Sequence, residues 1–439
     1  MVSEIKSAEE FLAILSDADL SDNAYLSYDY YRVYIKYNPQ EDFRCFCVIL
    51  DGKCRGLLPL YRTGLCYQIV GYRASNYLGY ICKKEDTQWI DQVITEFIIH
   101  NHPEMVIVFY DINSNSSLYN VLKIQKSVKS ILLYRCPLVD CNLDFETLFK
   151  TQISKAKKRT EFRKFEKKLE RVGEINLYNI DNPEKWEKHG YLIEDIFLLH
   201  AERFAEVFIP EDVCLHKNTE YYTELFENLV KKEKALLSVL TIGGVTVSFL
   251  YTVVSDGIVM DWMPAFDPAF SKYNLGTVHL MKFLEYLCGN EKYRILDFSK
   301  GAAFYKARWA NGETYNYMMV KRYRNDLICR LKVEIIMSPI RLKNALRKIG
   351  ILDRIKEVLV KVQNRGKDTI MGLSVKGKSI EWTSEFIDGM KTAGFDYALI
   401  RAYPIEERKK ILDAIYNGIK PMIFISEDHV IVLMSEENK

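Results

Sequence analysis

No run of about 18 or more consecutive apolar residues occurs in this 439-residue chain, so no transmembrane helix is expected. The opening stretch, MVSEIKSAEEFLAILSDADL, carries acids throughout and lacks the basic and apolar regions of a secretory signal. The expectation is therefore a cytoplasmic protein with reduced thiols. Its ten cysteines include no C-x-x-C pair. The one close pair, Cys45 and Cys47, alternates along a strand pattern and falls on one face, so no metal site is expected. A net charge of +2 excludes a global field for nucleic acid or anionic lipid and leaves such contacts to local patches.

What is present reads as globular. Hydrophobic residues make up 48%, charged residues 27% and aromatics 13%, a composition neither disordered nor fibrous. The length exceeds what one core sustains, so several domains are expected. Residues 1–140 read as a first α/β part. In it, short apolar runs alternate with turn signals such as Asp51-Gly52 and Gly64, then come a helical pattern from Thr87 to His100 and a buried-strand run from Met105 to Ile112.

Residues 141–330 open with one basic helical region, Leu143 to Arg171, and continue as a second α/β unit. Strand patterns there are joined by Gly243-Gly244 and Asp256-Gly257 turns, followed by a loop, a helix from Thr277 to Cys288, the strand RILDFS and a short helix around Ala303 to Trp309. The fold class is α+β with a mixed sheet. Residues 331–368 are basic, and Leu342, Leu346, Ile349, Leu352, Ile355, Leu359 and Val362 give the stretch 338–365 an amphipathic face. Residues 369–439 read as a small separate α/β tail, with YALIRAY as a strand, a helix from Pro404 to Asn417, and strands MIFISE and VIVLMSE.

The run IGGVTVSFLYTVVSDGIVMDWMPAFDPAFSKYNLGTVHLMKFLEYL, followed by RILDFSKGAAFYKARW, resembles the GNAT-type acetyltransferases called CelD-like, relatives of the FemAB aminoacyltransferases. ILDGKCRGLLPLYR, KKRTEFRKFEKKLERVGEI and LLHAERF match earlier segments of that pattern, so the resemblance spans roughly residues 25 to 325. It implies two GNAT-like halves in tandem, an acetyl-CoA or longer acyl-CoA donor, and an amine or hydroxyl acceptor such as a small glycan precursor of an envelope polysaccharide. The FemAB side of the resemblance implies a second option, in which the donor is an aminoacyl-tRNA. A third is a GNAT-like pair that binds a ligand or partner without catalysis.

Acyl transfer needs a positioned thioester, a base for the acceptor and an acid for the leaving thiolate. In the resemblance, Tyr305 holds the place of the proton-donating tyrosine, and Lys306 that of a lysine that stabilises negative charge. Packing or solvent exposure would equally explain the two. Asp297 and Asp261 are the carboxylate candidates, as bases or as salt-bridge partners. Lys272, Tyr273, Asn274, Leu275, Gly276 and Thr277 open a helix whose amides suit a pyrophosphate, or are simply a helix start. His200 and Arg203, one helical turn apart, are acceptor-side candidates with Arg159 and Trp262; a core role is the alternative for His200. The segment from Lys150 to Arg171 holds ten Lys and Arg against three Glu, a solvated face or an approach for a phosphorylated acceptor or RNA. The 338–365 stretch suits docking on its own protein or peripheral membrane contact.

Overall fold

The structure is a computed structural model. It describes residues 1–439 apart from 19, 22, 40–41, 72–74, 206–213, 301–302, 349–390, 394–396, 402, 418–420, 426–429 and 435–439. Strands β1 (Val2–Ile5), β2 (Phe43–Leu50), β3 (Lys53–Thr63), β4 (Cys66–Ile69), β5 (Ile81–Cys82), β6 (Val106–Asn113) and β7 (Val128–Asp140) come from the first part. The second supplies β8 (Ile175–Ile180), β9 (Ala235–Ile242), β10 (Val245–Ser255), β11 (Ile258–Phe266), β12 (Ile295–Asp297) and β13 (Gly312–Arg322). All join one 13-stranded mixed sheet, in the order β1-β2-β3-β4-β6-β13-β7-β12-β11-β10-β9-β8, with β5 beside β3.

That order is a repeat. Each half begins on an outer strand, runs through an antiparallel meander, crosses a helix, and adds a strand parallel to the last of the meander: β6 beside β4, and β12 beside β11. The crossing helices are Thr87–Asn101 and Leu275–Cys288. Each half then gives its final strand to the other, β7 lying against β12 and β13 against β6, while β7 and β13 pair with each other at the centre. Three hairpins rest on two-residue turns with both central residues at positive φ: Asp51-Gly52, Gly243-Gly244 and Asp256-Gly257. Gly and Asp tolerate that conformation, and its twist matches the strands.

Three segments differ from the sequence expectation. The basic region is two helices, Phe145–Gln152 and Ala156–Leu169, because Ile153 leaves helical geometry to bury its side chain. Arg159 closes that break, its Nη1 donating to the carbonyls of Ile153 at 2.6 Å and Ser154 at 2.7 Å. YALIRAY is not a strand: Tyr397–Ile400 is a helical turn that puts Tyr397 and Ile400, three positions apart, into the same core. The tail strand is Lys391–Ala393, paired with Pro421–Ile425, which pairs in turn with Val430–Met434.

Nor does the tail stand apart. Tyr397, Ile400, Leu412 and Ile415 share a core with Leu240, Ile242 and Val278 of the second half. Asp267, fully buried, accepts from Arg408 Nη1 at 2.8 Å, from Arg401 Nη1 at 3.2 Å and from the Tyr397 hydroxyl. The basic C-terminal stretch starts as the helix Leu327–Lys348, which lays Val333 and Met337 on the sheet against Val106, Val108 and Val320. Its other side exposes Leu327, Ile328, Leu331, Ile335 and Leu342. Residues 349–365 of the amphipathic pattern lie outside the described residues.

Candidate active site

A gap in the sheet makes the site. The parallel pairing of β11 with β12 covers Ile258 to Met260 and ends at Asp297, whereas β11 runs on to Phe266. Its far edge stays paired with β10, but the register shifts there: Tyr251 opposes Met263 and Thr252 opposes Asp261, leaving Trp262 as a bulge. Bulges re-aim neighbouring side chains and are common beside active sites. The wedge between the freed edge of β11, the start of the Leu275–Cys288 helix and the chain after β12 encloses a cavity of about 360 Å³.

Asp261 and Tyr305 face this cavity. Asp261 is buried at 6% exposure, and its Oδ1 has no hydrogen-bond partner among the described residues. Burial pushes its carboxyl up to about 6, partly offset by the Lys306 charge. A base that titrates near neutrality is suited to taking a proton from an amine or hydroxyl. Tyr305 is half-buried, edge-on to Phe298 with ring centroids 6.0 Å apart, and its hydroxyl is unbonded among the described residues. Burial, and then the nearby Asp261, holds that hydroxyl above its ordinary range, so it carries its proton.

Asp297 and Lys306 point elsewhere. Strand alternation sends Leu296 and Phe298 into the cavity and Asp297 away from it. Asp297 accepts from the Tyr77 hydroxyl and from the Ser299 amide at 2.7 Å, and burial raises its carboxyl to about 6. Ser299 in turn receives the Asn76 side-chain amide at 3.3 Å, so this cluster ties the second half to the first. Tyr77 and Ser299 both sit at positive φ here, a strain of roughly 1–3 kcal/mol each that the surrounding hydrogen bonds must hold. Lys306 Nζ donates to the carbonyls of Phe298 at 2.5 Å and Lys300 at 3.0 Å. It thereby ties the helix Phe304–Trp309, which carries Tyr305, to the chain just after β12, and its charge acts on both Asp261 and Asp297.

The helix-opening loop divides in two. Asn274, at φ 56°, Leu275, Gly276 and Thr277 line the cavity; the Thr277 amide donates to the Asn274 carbonyl at 2.8 Å, and Asn274 makes no side-chain cap bond, which leaves the Leu275 and Gly276 amides without a side-chain cap among the described residues. Gly276 has a packing reason as well, since a Cβ there would stand 3.3 Å from the Phe266 ring. Lys272 and Tyr273 instead face the tail: Lys272 Nζ lies 3.2 Å from Asp413, and Tyr273 stacks on Tyr416.

Among the acceptor-side candidates, Arg203 lines the cavity mouth with its guanidinium 5.0 Å from the Phe266 ring centroid and no carboxylate partner among the described residues. Arg159 is occupied with the helix break described above. Trp262 contributes the bulge, and its side chain lies outside the described residues. His200 is buried away from the cavity, its Nδ1 2.8 Å from that of His216, and burial lowers its pKa to about 4.

Sequence reasoning passed over His279 and Tyr77. His279 lines the cavity and is buried between Ser248 Oγ at 2.7 Å and Ser238 Oγ at 3.0 Å, and burial lowers its pKa to about 3. A neutral ring, with one nitrogen donating and the other accepting, satisfies both contacts. Its place on the inner face of a helix was the only sequence signal for it. Nothing local marks Tyr77, whose importance comes from Asp297, 220 residues further along the chain.

Residues 156–307 match the family model described as an acetyltransferase (GNAT) domain, the stretch that contains the gap, the cavity and Tyr305. The second half therefore carries a GNAT-type acyltransferase fold. Solved structures similar to the chain include L-PGS from Bacillus licheniformis (14% identity, TM-score 0.45, covering 75% of this chain and 96% of that one). FemX is similar at 9% identity and TM-score 0.48, covering 72% of this chain and 96% of that one. A tandem GNAT protein from the clavulanic acid biosynthesis pathway is similar at 9% identity and TM-score 0.38, covering 74% of this chain and 100% of that one. No curated protein matches the sequence. Among the described residues, no helix is long and apolar enough to cross a membrane.

Proposed function

We propose that the cavity beside β11 is the centre of an acyltransferase that moves an acetyl or longer acyl group from acyl-CoA to the amine or hydroxyl of a small acceptor. The observation that carries this reading is Asp261, a buried carboxylate with an unpartnered oxygen, facing the same cavity as the protonated Tyr305. The residues fit the donor. A cavity of about 360 Å³ is within the range of ligand pockets, and the Leu275 and Gly276 amides at the helix start, with an Arg203 that has no carboxylate partner among the described residues, suit phosphate groups.

Asp261 takes the proton of the attacking amine or hydroxyl as its bond to the acyl carbon forms. Tyr305 gives its proton to the sulfur as the carbon–sulfur bond breaks and takes one back from solvent, while Asp261 releases the first proton to solvent, so both groups return to their starting states. Lys306 anchors the helix that carries Tyr305 through two carbonyls, and its charge keeps Asp261 ionisable near neutrality. We assign Asp297 to bracing the two halves. The acceptor class taken from the sequence resemblance is an amino sugar or hydroxyl of an envelope polysaccharide precursor.

One observation favours a second donor. Lys155, Lys157, Lys158, Lys164, Lys167 and Lys168 are exposed around the helix Ala156–Leu169, a basic surface suited to an aminoacyl-tRNA. Calorimetry with acetyl-CoA, a long-chain acyl-CoA and CoA, beside filter binding of aminoacyl-tRNA, separates the two. One-to-one CoA binding is expected, with Tyr305→Phe keeping that affinity and losing about 100-fold in kcat. Absent CoA binding with retained tRNA binding selects the second donor, and loss of both overturns catalysis at this site.

A further inference from the structure

Outside the cavity, two imidazoles and a thiol converge. His200 lies in the last turn of the helix Leu192–Arg203, and Cys214 and His216 flank the start of the short turn Leu215–Lys217. Their ligand atoms all lie within 4.8 Å of one another. His200 Nδ1 and His216 Nδ1 are 2.8 Å apart, and Cys214 Sγ is 3.5 Å from His216 Nδ1. A tetrahedral ion with metal–nitrogen bonds of about 2.0–2.1 Å and metal–sulfur bonds of about 2.3 Å spaces neighbouring ligand atoms roughly 3.3–3.6 Å apart. The Cys214–His216 spacing is already there, the nitrogen–nitrogen spacing needs about half an ångström of opening, and the His200–Cys214 pair lies within 4.8 Å.

We propose that His200, Cys214 and His216 form a binding site for one divalent transition-metal ion of the zinc class. Two imidazoles and a thiolate select zinc, cobalt or a similar borderline ion over magnesium or calcium, which need oxygen ligands. Two of the ligands are buried and His216 is half-buried, so the ion has a route in and a sheltered seat. Its structural consequence reaches the cavity. Arg203 follows His200 by three residues, Phe204 touches the His200 ring at 4.6 Å between centroids, and both line the cavity. A bound ion would tie that wall to the turn at 215–217. The site does not depend on which acyl donor the protein uses.

The test uses the full chain without a histidine tag, stripped with a chelator and titrated with Co²⁺. One equivalent should give a thiolate-to-cobalt charge-transfer band in the near ultraviolet and the visible bands of a four-coordinate ion, both displaced by Zn²⁺. Cys214→Ser should abolish the charge-transfer band. His200→Gln and His216→Gln should weaken cobalt binding at least about 10- to 100-fold, while His100→Gln, at an exposed helix position, should change nothing. Zn²⁺ should raise the melting temperature of the parent chain and not that of His216→Gln, a readout that holds if Cys214→Ser fails to fold. No cobalt band at one equivalent, or a band that survives Cys214→Ser or His216→Gln, overturns the proposal.

Discussion

The crossing helices of the two halves each bury a polar side chain at their fifth residue, Asp91 in Thr87–Asn101 and His279 in Leu275–Cys288, yet their surroundings differ. Asp91 is saturated: Lys321 Nζ reaches its oxygens at 2.7 and 2.9 Å, the Tyr80 hydroxyl at 2.6 Å and Gln125 at 2.8 Å. His279 is held by two serines without a charge and borders a cavity in which Asp261 keeps an oxygen unbonded among the described residues. The same architecture therefore closes one half around a paired charge and leaves the other open around an unpaired one. Buried polar groups with full partners hold structure, and one left unpaired in a cavity is where chemistry can be done.

Removing the unpaired charge should break activity most. Asp261→Asn is expected to lower kcat by about 10²- to 10⁴-fold while leaving the fold intact. With the group poised near 6, kcat/KM of the parent protein should rise with pH and level off above about 6. The stability effect runs the other way. Burial raises this carboxyl from 3.8 in the unfolded chain to about 6, so its contribution is fully present below pH 3.8 and is lost as pH rises through 6. Asp261→Asn should thus gain stability on the parent between those values, read by urea unfolding across pH. A variant that keeps its turnover removes Asp261 from the chemistry.

Breaking the paired charge should instead break the fold. Lys321 is wholly buried and Asp91 nearly so, and removing one partner of such a pair costs about 3–5 kcal/mol. Lys321→Met should lose that much in urea unfolding, with turnover per folded molecule unchanged, and the double variant Lys321→Met/Asp91→Leu should recover most of it. If the double variant recovers nothing, the two residues act separately and the contrast between the halves fails.

The hairpins and crossing helices were legible because two-residue turns and helical spacing are local signals, and Gly243-Gly244 or the run from Thr277 to Cys288 needs no distant partner. The strand exchange at the centre was not, since pairing β13 with β6 joins residues about 200 apart with no local mark. YALIRAY failed for a related reason: its β-forming side chains serve a core in which Tyr397 and Ile400 need helical spacing. In the site, the signature put Tyr305 forward and the strand IVMDWMPAF put Asp261 forward as candidates, and both line the cavity. Neither revealed that the backbone turns Asp297 and Lys306 inward as braces, because alternation is settled by where β12 ends.

The smallest effect should come from Arg203, which lies at the rim of the open half. It is exposed, and its guanidinium sits over Phe266 beside the uncapped helix start with no carboxylate partner among the described residues. A solvent-facing cation gains only about 0.2–1 kcal/mol from an ion pair, so Arg203→Gln should raise KM for the CoA donor by a few-fold and leave kcat unchanged. The effect should shrink as salt rises from low to physiological ionic strength, because screening acts on exposed charges. A fall in kcat with KM unchanged would move Arg203 from the phosphate end of the cavity to the reacting end. No change in either would mean that the stacking on Phe266 is all it does, and the helix amides would then carry the donor's phosphates alone.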